Sequence, residues 1–538
     1  MADRWRSGTA DRHSEQKRLR FSALETRTWI VLALVVVAAN LVLRVLYLTT
    51  IPGINGDECQ GGVAMREWLS GRTPPPWITQ SNRFVPFAVA LAWLAYLPGA
   101  PSAWQLRAIP FVAGLLTIAA VWFAARAVFR QRWVRIGVVL TAACAPIQLV
   151  YSRVSWDPML TSLSALLLIV FILKGRYGWG LFGAAVGFLV HPNAVFFVPY
   201  GLLCFVVEAL PRYVRARRNR VLLIAGLFAA AVPVSVWMYE HFIGVGGTGI
   251  RFWAYGLGSF KNYLLYMGGV LSGSVSFEGF VAKPGGAAAA LFGVLNAAVV
   301  VGLCWCAVRA WRRSDMGPGR RLLPLGVLMA LALMYVFVPL IDAGHDRYAL
   351  VFVLPMIFAF GLAVDDSNLS AAVQQRIAVL LPAWLLASYC VFFVGAFLST
   401  GGYQFSPYQA GPVDPKVAAT QWILADSEAR LGPNQPVRIV ADSWWVFWPV
   451  RYLTMDNGLV RVEHIGVVDL TMPADAKITN HAELEEALHH NGYAVGFGNG
   501  YLARNLPALQ RSQVCGTRDF LDYAGRPAVT VSRVCPAR

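Results

Sequence analysis

The feature that most constrains this chain is a series of apolar runs, most of them near the length of a membrane crossing, that recurs from Trp29 to about residue 397. A helix needs about 20 predominantly apolar residues to cross a bilayer core roughly 30 Å thick. Inside that core its backbone must satisfy its own hydrogen bonds, which leaves helices as the natural reading of such runs. Composition agrees, with 57% hydrophobic and only 14% charged residues, where a soluble chain carries about 25% charged. A disordered chain, a collagen-like fibre and a small disulfide scaffold are excluded. Spans are expected at 29–48, 106–128, 134–151, 158–173, 178–190, 194–208, 221–238, 286–308, 322–340, 348–364 and 377–397, eleven in all. The expected fold class is an α-helical polytopic membrane protein, about eleven transmembrane helices plus juxtamembrane helices, with a C-terminal extracytoplasmic α/β domain.

Charge orients these spans. Lys and Arg number 46 against 29 Asp and Glu, a formal net charge of +17. From Ser399 onward there are 12 basic and 13 acidic residues, so the excess lies in the membrane half, in short clusters between apolar runs. Short cytoplasmic loops are the ones that retain Lys and Arg. With an inside N-terminus and eleven crossings, the inside clusters are 1–28, Arg126–Arg135, Lys174–Arg176, Arg212–Arg220, Arg309–Arg321 and Arg376. They hold 24 basic residues, and the outside loops before residue 348 hold 8. The extra apolar stretch Phe84–Leu97 reaches only about 21 Å as a helix. Counting it as a twelfth crossing reverses the charge bias, so it reads as a juxtamembrane or half-inserted helix.

The resulting organisation is a basic cytoplasmic N-terminus (1–28), a transmembrane domain (29–398) with outer loops 49–105 and 239–285, and an extracytoplasmic domain (399–538). No nucleic-acid motif or groove-like basic stripe accompanies the high pI. The excess of Arg over Lys, 40 to 6, reads as the codon usage of a GC-rich, bacterial genome, which places the chain in a cytoplasmic (inner) membrane.

The tail opens with the Gly-bearing linker Ser399-Thr-Gly-Gly-Tyr-Gln. Asp414-Pro415 predicts a capped helix stopping near Gly432, because proline suits the first helical turn. A strand is expected at Val437–Ala441 and a second helix after Asn480, whose spacing to Glu483 resembles a capping box. Further strands are expected at 493–498 and 527–534. Cys515 and Cys535 are the only cysteines in this region. Facing an oxidising compartment, they are expected to pair.

Chemistry points first to Ile51-Pro-Gly-Ile-Asn-Gly-Asp57-Glu58-Cys-Gln-Gly-Gly, just past the first span. A carboxylate there can accept a proton from an incoming hydroxyl, or Asp57 can simply cap the helix Glu58–Leu69. Asp157, before Pro158 in the turn Tyr151-Ser-Arg-Val-Ser-Trp-Asp, opens on the same face and has the same two readings. His191, in His191-Pro-Asn193, is a third polar group on that face, either structural or functional. Arg83 and Arg347 are cations of the outer face that either snorkel to headgroups or clamp a phosphate. Gly244-Val-Gly-Gly-Thr-Gly249 lacks the preceding strand and the following Lys-Ser/Thr of a phosphate loop. No cluster has metal-site spacing.

In order and sidedness these segments resemble the C superfamily of integral-membrane glycosyltransferases, which includes protein O-mannosyltransferases and the transferase that adds aminoarabinose to lipid A. Gly56-Asp57-Glu58 with Met65-Arg-Glu-Trp-Leu-Ser-Gly71 is similar to the family's Asp-Glu-helix-Gly signature. Asn82-Arg83-Phe84-Val85-Pro86 stands where the family has a Lys-Pro-Pro entry, and Trp104-Gln-Leu-Arg107-Ala-Ile-Pro110 resembles its Ala-Arg-Leu-Pro start of the second span. Tyr151-Ser152-Arg153 through Asp157-Pro158-Met-Leu resembles the Ser-Arg…Asp-Met-Leu stretch. Arg347-Tyr348 through Pro355 resembles the Arg-Tyr…Pro run. The likeness covers residues 28–360, and the tail matches nothing in the family pattern.

The resemblance implies transfer of a sugar from a polyprenyl-phosphate donor to a hydroxyl of a glycan, lipid or protein acceptor, with inversion. In that scheme Asp57 is the general base, and Arg83, Arg347, Tyr348 and His191 surround the donor phosphate. Asp157 tunes one of those cations. Glu58 supports Asp57 or, as in some relatives, holds a divalent metal; no cofactor follows from any motif, so metal dependence stays open. Membrane lipids are the remaining partners, and nucleic acid is not one. The alternative reading is a transporter or flippase for a lipid-linked sugar, which usually shows paired repeats and midplane polar groups. A sensor merely anchored by the spans is a third reading, for which eleven spans are excessive. If Arg347 clamps the donor phosphate, Arg347→Ala weakens donor binding roughly tenfold or more and Arg347→Lys weakens it less. Equal losses in a donor titration exclude the clamp.

Overall fold

The structure, a computed structural model, describes residues 26–73, 101–155, 160–190, 192–209, 256–281, 283–313, 316–337, 349–402, 411–465, 477–478, 492–497 and 514–535. Its membrane half is helical. In chain order the helices are α1 (Thr26–Val45), α2 (Gly56–Leu69), α3 (Ala103–Val128), α4 (Arg132–Cys144), α5 (Pro146–Tyr151), α6 (Thr161–Leu173) and α7 (Tyr177–Val190). They continue with α8 (Val198–Cys204), α9 (Gly256–Ser272), α10 (Ser274–Phe280), α11 (Gly286–Trp311), α12 (Pro318–Phe337), α13 (Leu350–Asp365) and α14 (Ala371–Ser399), the last carrying a π-helical turn at Tyr389–Gly395.

Four of these, α1, α3, α11 and α14, are long and apolar enough to cross a membrane. They answer the runs expected at 29–48, 106–128, 286–308 and 377–397. Much of their apolar surface is exposed, as at Leu34, Phe123, Val301 and Val391. That is the arrangement a hydrocarbon solvent tolerates and water does not. Of the other expected spans, 322–340 overlaps the 20-residue α12, and several others are short or broken among the described residues. The run 134–151 is divided at Ala145–Pro146, because the residue before a proline is pushed out of the helical region and Ala145 takes φ −57°, ψ 123°. The run 194–208 becomes a 3-10 turn at Pro192–Phe197, then α8, then a π turn at Phe205–Ala209. The expected span 221–238 and the half-inserted stretch Phe84–Leu97 lie outside the described residues.

Within residues 239–285, which the sequence presents as an outer loop, α9 and α10 form and pack into the helical core, with Met267, Val270, Leu271, Phe277 and Val281 buried. The apolar part of α9, Tyr263–Ser272, is too short to register as a crossing. Its Ser272, with Ser274 of α10, bonds Asn296 of α11 (Ser272 Oγ to Asn296 Oδ1 2.5 Å), satisfying polar groups inside the bundle. The common core of the bundle runs through Val121, Val138, Ile169, Phe197, Met334, Phe352 and Phe358. At one end Asp365 fastens the α3–α4 turn, accepting from the backbone N–H groups of Arg130 and Gln131 (3.1 and 2.9 Å) and from Arg320 (2.8 Å).

The C-terminal part is α/β: α15 (Val413–Leu431), β1 (Val437–Ala441), α16 (Trp444–Thr454), β2 (Val460–Ile465), β3 (Lys477–Ile478), β4 (Tyr493–Gly496), β5 (Val514–Leu521) and β6 (Pro527–Val534). The sheet order is β3-β2-β1-β4-β6-β5. The first four strands are parallel, with Ala441 opposite both His464 and Val495. β6 and β5 then add antiparallel. β1 is almost continuously apolar because a central parallel strand is covered on both faces. Gly432 ends α15 as expected, whereas Pro412, not Asp414, is its N-cap. α16, β2, β3 and β5 have no counterpart among the elements expected from the sequence, and the helix expected after Asn480 lies outside the described residues.

This α/β part is not packed as an isolated tail. Its core residues Ile423, Ile439, Phe447, Tyr452 and Val495 share one apolar cluster with Ile54, Cys59 and Val63 of the first outer loop and with Ala103 and Leu106 of α3. Trp445 packs against both this cluster and the bundle core. At the far edge of the sheet Cys515 and Cys535 form a disulfide, Cα to Cα 5.8 Å. Alkylation of the non-reduced full-length protein should therefore spare both cysteines, and reductant should expose both. Peptide mass spectra finding either one alkylated without reductant would contradict the bridge.

Candidate active site

The site is built on the ten residues that leave α1 and lead to α2. These residues form no regular element, so their carbonyls need donors from elsewhere. Two buried guanidinium groups supply them. Arg153, just past α5, donates to the carbonyls of Leu46 (2.6 Å) and Ile51 (2.9 Å) and to that of Leu43. Arg107 of α3 donates to the carbonyls of Leu48 (2.9 Å) and Gly53 (3.2 Å). Both are essentially unexposed. In the sequence Arg107 and Arg153 are each one letter of a short motif. A charged residue at or within an apolar run was the signal that it had a fixed partner.

The adjacent carboxylates take different roles. Glu58 is fully buried and forms an ion pair with Arg107 at 3.0 Å. The same Oε1 accepts the Asn55 backbone N–H (3.1 Å), and Oε2 accepts that of Ser155 (3.4 Å). Asn55 Oδ1 in turn accepts from the Glu58 N–H at 2.9 Å, completing a capping box. The N-cap of α2 is therefore Asn55, and the expectation that Asp57 caps this helix is replaced. Asp57 lies in the first turn, where a negative charge is favoured by the helix dipole. It is half-buried, and the Trp444 indole N–H donates to its Oδ1 at 3.0 Å.

Trp444 opens α16, so the α/β part forms one wall of the site. α2 and α16 lie against each other, tied by Arg66 to Asp456 (2.7 and 2.9 Å) and by Arg451 to Glu67 (2.9 Å). Tyr452 donates to the Ser102 carbonyl at 3.1 Å. Lys416 of α15 is buried and donates to the carbonyls of Ile54 (2.9 Å) and Trp445 (2.9 Å). Burial pushes its ammonium down to about 7, since a low-dielectric surround disfavours the charged form. Two glycines allow this close approach. A Cβ at Gly53 would overlap the Gly411 carbonyl, and one at Gly56 would lie 2.6 Å from Trp444 Nε1.

Of the sequence-predicted residues, the structure brings Asp57 and Glu58 to this junction and gives them distinct surroundings. Arg83, Asp157, His191, Arg347 and Tyr348 lie outside the described residues. Ser155, the last described residue before that turn's Asp157, donates its backbone N–H to Glu58. Among the described residues no three metal-ligating side chains converge. An apolar cavity of about 330 Å³ lies between α4, α9, α11, α13 and α14, lined by Val138, Leu271, Leu295, Ile357 and Ala378. It contains none of the candidate residues.

No protein-family model and no curated protein sequence matches the chain. Among solved structures it is similar to ArnT from Cupriavidus metallidurans in the apo state: 14% identity and a TM-score of 0.41, over 94% of this chain and 98% of that one. It is also similar to ArnT from the same organism bound to undecaprenyl phosphate: 13% identity and a TM-score of 0.40, with the same coverage.

Removing one partner of a buried ion pair strands the other charge, which costs roughly 3–5 kcal/mol. Glu58→Gln is therefore expected to lower unfolding stability by about that amount while Asp57 is untouched. The check is chemical or thermal unfolding in detergent. An unchanged midpoint would mean that the Glu58–Arg107 pair does not hold the loop.

Proposed function

We propose that this protein is an inverting glycosyltransferase of the bacterial cytoplasmic membrane, moving a sugar from a polyprenyl-phosphate carrier to an acceptor hydroxyl on the extracytoplasmic face. The observation that carries the reading is Asp57: a half-buried carboxylate, relieved of capping duty by Asn55, held at the junction of an apolar helical bundle and an α/β wall. A lipid-linked donor suits such a junction, because its chain belongs in the bilayer and its sugar in water. The order and sidedness of the motifs around Asp57, Asp157 and Arg347 support it further.

The chemistry balances without a cofactor. The acceptor O–H gives its proton to the Asp57 carboxylate as its oxygen attacks the anomeric carbon. A new C–O glycosidic bond forms, and the anomeric C–O bond to phosphate breaks with its electron pair. The leaving polyprenyl phosphate is already anionic, so it needs charge stabilisation rather than protonation. In this scheme Arg83, Arg347, His191 and Tyr348 face the phosphate and Asp157 orients one of those cations. Glu58, spent on Arg107, anchors the base rather than taking the proton. Eleven crossings with the N-terminus inside put Asp57 and the tail on the outer side.

The test is incubation of the purified protein with radiolabelled polyprenyl-phosphate sugars and membrane extract. Label should leave the organic phase. Asp57→Asn keeps the side-chain volume and removes the proton acceptor, so it should insert normally and lose roughly 100-fold or more in rate. Full activity in that variant assigns the base elsewhere. Label that changes leaflet while remaining on its lipid would instead identify a transporter.

A further inference from the structure

We propose that Trp444, from the C-terminal α/β part, is a positioning residue for Asp57, making that part a component of the catalytic centre rather than an appended domain. This rests on the reading of Asp57 as the base.

A carboxylate that takes a proton in the transition state must present the right oxygen to the acceptor, and free rotation about its last bond works against that. The indole N–H of Trp444 donates to Asp57 Oδ1 at 3.0 Å, a charge-assisted hydrogen bond that fixes the carboxylate plane. The donor is itself held. Trp444 is the first residue of α16, whose aromatic face stacks edge-to-face from Trp444 to Trp448 (5.5 Å) and from Trp448 to Phe447 (5.0 Å). Phe447 and Trp448 are buried in the core shared with the outer loop. On the other side the ring lies on Gly56: an added Cβ there would overlap Cδ1 and crowd Nε1. The residue before the aspartate thus lacks a side chain where the indole passes. Lys416 adds an independent tie by donating to the Ile54 carbonyl, three residues before Asp57. Two elements of the α/β part, α15 and α16, therefore reach over to the same short segment.

Packing alone requires only a large apolar ring at position 444, whereas positioning requires an N–H at the place of Nε1. Two substitutions separate these needs. Trp444→Phe keeps an apolar ring and has no donor. Trp444→His loses most of the apolar area, but its five-membered ring puts Nε2 where the indole has Nε1. The experiment measures kcat and KM for label transfer at pH 8 in wild type, Trp444→Phe, Trp444→His and Asp57→Asn, with thermal midpoints for each. Expected is a roughly tenfold fall of kcat in Trp444→Phe with donor KM unchanged, and partial recovery in Trp444→His although its midpoint is the lower of the two. Activity that follows the midpoints, with Trp444→Phe above Trp444→His, overturns the proposal and leaves the base assignment standing. The same holds if Trp444→Phe is as active as wild type. Full activity of Asp57→Asn overturns the base assignment itself, and this proposal with it.

Discussion

The site depends on two guanidinium groups buried where the first helix ends. An α-helix leaves its last carbonyls without partners, and here the chain then runs irregularly for ten residues near the edge of an apolar bundle. Arg153 and Arg107 bond the carbonyls of Leu43, Leu46, Ile51, Leu48 and Gly53. A buried charge costs less when hydrogen bonds or a nearby counter-charge offset its lost hydration. Glu58 supplies that counter-charge to Arg107. One carboxylate of the acidic pair is thus consumed in stabilising the loop, and its neighbour Asp57 is left half-buried against Trp444.

This division follows from helix geometry. Adjacent residues on a helix point about 100° apart, so Asp57 and Glu58 cannot face the same environment. Glu58 turns toward α3 and the Ser155 turn, while Asp57 turns toward α16. Asn55 completes the arrangement by capping α2 itself.

The α/β part contributes more than its sheet. β1 ends three residues before Trp444, and the helix that follows it lies directly on α2. A surface ion pair such as Arg66–Asp456 adds little by itself. The shared apolar core, which includes Ile54, Val63, Phe447 and Tyr452, holds the two parts as one body. Glycine at 53 and 56 is what permits the backbones to come that close. Two elements of the α/β part thus touch the short segment that carries Asp57.

Much of this architecture is legible in the amino-acid sequence, because its causes are local. Apolar runs near spanning length announce α1, α3, α11 and α14; a near-continuous apolar run gives β1; Gly432 ends α15; and Cys515 and Cys535, the only cysteines after residue 399, pair. Gly56-Asp57-Glu58 was readable as a candidate for the same reason: two acids past a span are conspicuous. What tertiary structure alone decided is which partner each group meets across hundreds of residues. Arg107 and Arg153 looked like one letter each of short motifs, and only folding sets them against the carbonyls of residues 43–53. Trp444 and Lys416 lie more than 350 positions from Asp57 along the chain, and no periodicity links them to it. The burial of α9 in the bundle was equally hidden, since its short apolar part, Tyr263–Ser272, gains its place by packing and not by its length.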